Sequence, residues 1–272
     1  MAGISKAKVS ILDLSNVEMM SVIVLAGFGI ALLCWAVIAI RRSPYSPLQS
    51  AIYLANILLT RVLWRTTIDG DFPDLAGQGA VVVCNHGSSI DPFFIQLTPG
   101  RVVHWMVARE FTDFLPFRAF FRACGSIPTN RAGIDTASTK AAIRYASQGE
   151  LVGMLPEGRV NSTPKVLLGG RPGAALVALK ARVPIVPCYI RDAPYDGTFW
   201  GCFFMTAKVH LTVGQPIDLS NYFDRRKEDG VLQEVTLLIL SEIAALAGEP
   251  DFEPELAGRR WKPGMEDDAA VA

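Results

Sequence analysis

The sequence predicts an α/β protein: a mostly parallel sheet flanked by helices, preceded by an N-terminal transmembrane helix and a second, amphipathic helix. Three observations predict it. Residues 19–40 carry no charge. Beyond residue 65, short β-rich runs alternate with helical stretches, which is how helix-covered parallel sheets read. Half of the 272 residues are apolar, enough to bury a sizeable core.

Taken in order, residues 1–18 form an N-terminal segment before the uncharged run. As a helix, residues 19–40 would extend roughly 33 Å, sufficient to cross a bilayer core. A cleaved signal peptide fits less well, because the apolar run is too long and Arg41 and Arg42 follow it directly. A lipoprotein signal is weaker still, since Leu33 precedes Cys34. Arg41, Arg42, Arg61 and Arg65 follow the run before any acid appears, which predicts a single-pass anchor with the following domain on the cytoplasmic face. After Pro44 and Pro47, residues 48–64 read as a second helix within a connecting segment, 41–64. It lies either in the membrane interface or on the following domain.

The domain then spans 65–247. Residues 80–84, 102–107, 151–155, 185–190 and 208–213 read as strands. Residues 92–97, 114–122, 135–147, 172–181 and 232–247 read as helices. No repeat or linker divides them. The tail, 248–272, is rich in proline and acids and reads as surface-running or disordered.

Lys plus Arg equals Asp plus Glu at 26 each, so the basic excess that drives nucleic-acid binding is missing. The five cysteines show no CxxC pair and the three histidines are widely spaced, which predicts reduced thiols and no metal.

Three segments carry candidate chemistry. In the first, the strand 81–84 runs into Asn85-His86-Gly87-Ser88-Ser89-Ile90-Asp91-Pro92. This puts His86 at the C-terminal edge of a strand, where α/β sheets bind ligands. The small residues between allow Asp91 to fold back onto the imidazole, fixing its tautomer and making the other ring nitrogen a general base. Equally, Asp91 before Pro92 suits a helix N-cap, with His86 a turn residue. Ser88 and Ser89 are possible nucleophiles, but no G-x-S-x-G elbow surrounds them.

In the second segment, Cys124-Gly125-Ser126-Ile127-Pro128-Thr129-Asn130-Arg131, a loop arginine is suited to gripping a phosphate. In the third, Pro156-Glu157-Gly158-Arg159, a carboxylate, a permissive glycine and a cation follow a strand. Glu157 and Arg159 also read as partners of each other or of solvent.

Asn85-His86 with Asp91, Gly125-Ser126-Ile127 leading to Arg131, Pro156-Glu157-Gly158, and Val183-Pro184-Ile185-Val186-Pro187 occur in the order of four motifs of the glycerolipid acyltransferases. Over roughly residues 65–215 the chain resembles that family, which includes the 1-acylglycerol-3-phosphate acyltransferases. The resemblance implies transfer of a fatty acyl group from acyl-CoA or acyl-carrier protein, as co-substrate, to a lysophospholipid hydroxyl, with no tightly bound cofactor. It implies His86 as base, Asp91 as its orienting partner, and Arg131, Glu157, Gly158 and Arg159 in the acceptor-phosphate site. The implied partners are the lipid bilayer, a lysophospholipid acceptor and an acyl thioester donor. The fourth motif reads as a buried strand whose ends Pro184 and Pro187 shape.

Phosphatidate-forming members usually continue Pro-Glu-Gly-Thr-Arg-Ser, whereas Gly158 here is followed directly by Arg159. That form is similar to acyltransferases of lysophosphatidylethanolamine, so the headgroup stays open. A lipid or thioester hydrolase and a non-catalytic membrane-bound protein are the alternatives from other classes.

Overall fold

The computed structural model describes residues 16–130 and 135–257. The chain divides at Ser50/Ala51 into two compact units, each described by itself. The first holds α1 (Asn16–Arg42) and the start of α2 (Pro47–Leu58). Ser46 and Gln49 cap α2 reciprocally: the Ser46 N–H donates to Gln49 Oε1 at 2.9 Å and the Gln49 N–H to Ser46 Oγ at 3.3 Å, with Pro47 at the first helical position.

The expectation of a single-pass anchor does not hold. A helix forms over the uncharged run and exposes side chains such as Leu25, Phe28 and Ile30. Among the described residues, however, no helix is long and apolar enough to cross a membrane. Lack of charge predicts an apolar helix but not its span. The cytoplasmic-face localisation rested on that anchor and falls with it.

In the second unit the end of α2 widens into a π turn, Leu59–Leu63, where the Thr60 hydroxyl donates to the Asn56 carbonyl at 2.7 Å. Asn56 Nδ2 also donates to the Phe93 carbonyl at 2.9 Å, and Trp64 is wholly buried. These contacts pack this segment onto the domain. Then follow β1 (Thr67–Asp69), β2 (Ala80–Cys84), α3 (Asp91–Ile95), β3 (Val103–Ala108), α4 (Arg109–Thr112), α5 (Leu115–Ala123) and β4 (Ile127–Thr129). The chain continues with α6 (Thr136–Ser147), β5 (Leu151–Met154), α7 (Gly173–Ala181), β6 (Ile185–Arg191), β7 (His210–Val213), α8 (Ser220–Phe223) and α9 (Val231–Leu246).

The seven strands lie in the order β1-β7-β6-β2-β5-β3-β4, and every described pairing is parallel except β6 with β7. Central β2 explains its own sequence. Val81 and Val83 face a core made with α6, α7 and α9, while Ala80, Val82 and Cys84 face a second core with Trp64, Ile90 and Phe94. A strand covered on both faces reads as a continuous apolar run. Pro187 lies inside β6 rather than at its end. The position accepts proline because the β6–β7 ladder starts at Cys188↔Val213, leaving position 187 without a ladder N–H to supply. Past Gly248, Leu256 bridges Gly170, so residues 252–257 are tied to the domain; 258–272 lie outside the described residues.

Candidate active site

Because β2, β5, β3 and β4 are mutually parallel, their C-terminal ends share one edge of the sheet. Each candidate segment leaves a strand there. His86 follows β2, Glu157 follows the neighbouring β5, and β4 ends at Thr129. Arg131 lies outside the described residues. The loop stems beside it are held by Asp135, which accepts from the Asn130 N–H at 2.8 Å and caps α6 through the Ser138 N–H at 3.0 Å.

His86 Nδ1 and Asp91 Oδ2 lie 2.9 Å apart. Asp91 is the first residue of α3, with Ile90 at the N-cap and no side-chain cap bond, so it does not act as the helix cap. Its Oδ2 instead accepts from His86 and from the Ser88 N–H at 3.0 Å. Among the described residues its buried Oδ1 has no hydrogen-bond partner. Burial raises the Asp91 carboxyl above the ordinary range, and the bond and charge of His86 pull it partly back. With Nδ1 committed to the carboxylate, Nε2 remains for a proton from outside.

The turn is anchored on both sides. Asn85 exchanges two bonds with Ile190 of β6, at 2.9 and 2.8 Å, and thereby ends β2 in a fixed direction. The Ser88 hydroxyl donates to the Pro194 carbonyl at 2.6 Å and the Ser89 hydroxyl to the Phe199 carbonyl at 3.1 Å. Both hydroxyls thus tie the turn to the 192–200 loop, and neither is paired with His86 as a nucleophile would be. Sequence reasoning missed these anchoring contacts, Asn85 included, since main-chain partners more than 100 residues away leave no local pattern.

Glu157 is 3% exposed. Its Oε1 accepts from the His86 N–H at 2.7 Å and its Oε2 from the Leu168 N–H at 2.8 Å. Burial pushes its carboxyl up to about 7, against those two bonds. Gly158 takes φ +71°, a left-handed backbone that favours glycine, and the Arg171 side chain lies across it. Arg159 is half-buried in the same turn. The structure therefore brings His86, Asp91 and Glu157 together, with Gly158 and Arg159 following Glu157 in the chain. Arg171 is a second cation at this turn that the motifs did not flag.

A strand-edge imidazole paired with a buried carboxylate, with no described nucleophile beside it, suits proton transfer to and from a bound substrate. Residues 65–191 match the family model described as Acyltransferase, in agreement with the motifs' resemblance to the glycerolipid acyltransferases. The chain is an acyltransferase. It is 27% identical over 151 residues to the 1-acyl-sn-glycerol-3-phosphate acyltransferase of Bacillus subtilis (strain 168), covering 54% of this chain and 71% of that protein. Among solved structures, the 1-acyl-sn-glycerophosphate (LPA) acyltransferase PlsC from Thermotoga maritima is similar in fold, with a TM-score of 0.55 at 18% identity over 73% of this chain and 78% of that one.

Proposed function

We propose that the protein transfers a fatty acyl group from acyl-CoA or acyl-carrier protein to the free hydroxyl of 1-acylglycerol-3-phosphate, forming phosphatidate, with His86 as general base. The observation that carries this reading is the 2.9 Å contact between His86 Nδ1 and buried Asp91. The name of the Bacillus subtilis relative supports the acceptor.

His86 Nε2 takes the hydroxyl proton as that oxygen attacks the thioester carbonyl. The tetrahedral intermediate collapses, the carbon–sulfur bond breaks, and the departing thiolate recovers the proton from the imidazolium. Asp91 stabilises the imidazolium between these steps. General-base help is worth about a hundred- to ten-thousand-fold, and holding both substrates in place supplies much of the rest. Arg131 and Arg159 serve the acceptor phosphate, and the lysolipid reaches the site from a bilayer surface.

The direct Gly158-Arg159 sequence favours a second reading, lysophosphatidylethanolamine as acceptor. Radiolabelled acyl-CoA supplied with a panel of lysolipids tests both. Phosphatidate as main product supports the first reading and acylated phosphatidylethanolamine the second. Free fatty acid formed equally without acceptor would indicate a hydrolase.

A further inference from the structure

We propose that Glu157 is a positioning residue that fixes the main chain of His86 and does not contact the acceptor headgroup. The inference rests on the reading of His86 as the base. It departs from the role in acceptor binding that the motif alone implies.

Both Glu157 oxygens are already engaged by main-chain donors, His86 N–H at 2.7 Å and Leu168 N–H at 2.8 Å. The same excursion from β5 also holds the other side of His86, because the Asn161 N–H donates to the His86 carbonyl at 2.7 Å. Both backbone polar groups of the proposed base are therefore gripped by residues 157–161. The excursion is itself closed by Gly158 N–H to the Leu155 carbonyl and Arg171 N–H to the Pro156 carbonyl, at 3.0 and 2.9 Å. A side chain 3% exposed offers almost no surface to a headgroup, and a carboxylate facing a phosphate would repel it. A clamp is consistent with all of these contacts.

The Asp91 bond orients the ring, and the Glu157 bond fixes where the ring's backbone sits. Losing the second moves Nε2 relative to the acceptor hydroxyl, and a displacement of about 1 Å is enough for roughly a hundredfold loss of rate.

The test compares parent, Glu157→Gln and Glu157→Ala as purified full chains, with acyl-CoA and lysophosphatidate varied separately. The expected result is a kcat lower by about a hundredfold in Glu157→Ala, with acceptor KM within about threefold of the parent. Glu157→Gln should fall between, since its single amide oxygen accepts from only one N–H. It also keeps the question answerable if the alanine variant does not fold. A raised acceptor KM with kcat retained would overturn the proposal. A second readout needs no turnover: the His86 backbone amide proton resonance should move upfield in Glu157→Gln, because its short bond to a carboxylate is either lost or replaced by a weaker one to a neutral amide oxygen. An unmoved resonance overturns the clamp whatever the activity. Failure of the parent to acylate any lysolipid would count against the proposed reaction alone.

Discussion

Replacing Asp91 with asparagine separates catalysis from stability, and the structure gives a sign for each. The carboxylate is fully buried, accepts from His86 and the Ser88 N–H through Oδ2, and leaves Oδ1 without a partner among the described residues. Asparagine keeps the shape but removes the negative charge that stabilises the imidazolium formed during proton transfer. A hydrogen bond to a charged group contributes about 1.5–3 kcal/mol. At about 1.4 kcal/mol per tenfold, its loss slows acyl transfer by roughly 10- to 150-fold. If the amide turns its NH₂ toward Nδ1, the tautomer inverts and the loss approaches about ten-thousand-fold. Stability moves the other way. Burial works against the charged form of Asp91, so the neutral side chain should leave Tm unchanged or higher. Thiol release from acyl-CoA with lysophosphatidate measures the first effect and calorimetry the second. A folded Asp91→Asn protein within about threefold of parental activity would refute the assignment of Asp91 as the partner of the base.

Other predictions follow from the anchors and the buried acid. Ser88→Ala and Ser89→Ala should each retain most activity, with Ser88→Ala destabilised by about 1–3 kcal/mol through the unsatisfied Pro194 carbonyl; an acyl-serine adduct seen by mass spectrometry would contradict this. Asn85→Ala loses both bonds to Ile190 and should lower stability by about 2–4 kcal/mol in urea titration. The Glu157 carboxyl is raised from 4.5 to about 7 in the folded state. The native protein therefore binds more protons than the unfolded chain between those values, and this group's contribution makes stability fall as pH rises through that window. Glu157→Gln should flatten that slope, and an unchanged slope would show that Glu157 does not titrate there.

How much of this the sequence could reveal depended on whether the determinants were local. Residues 80–84 were legible as a strand because burial on both faces demands a continuous apolar run. Asp91 was legible as a partner for His86 because a five-residue separation through small residues permits a tight turn. The same five residues also suggested a capping role, and only the placement of Asp91 inside α3 decides between them. The three-residue strands β1 and β4 gave no periodic signal, and their strand state comes from pairing with β7 and β3. Likewise, nothing local shows that β7 runs antiparallel to β6. The uncharged stretch 19–40 predicted a helix correctly but overstated what that helix does. Glu157 was legible as a candidate and not in its contacts, because its partner at His86 lies 71 residues away and is a main-chain N–H.

The most direct measurement is turnover by purified His86→Ala. Labelled acyl-CoA and lysophosphatidate are supplied, and both phosphatidate and released thiol are quantified beside a thermal-unfolding check. The parent should form one phosphatidate per thiol released, and the folded variant should form none above the uncatalysed background. Phosphatidate made by folded His86→Ala at the parental rate would contradict the account.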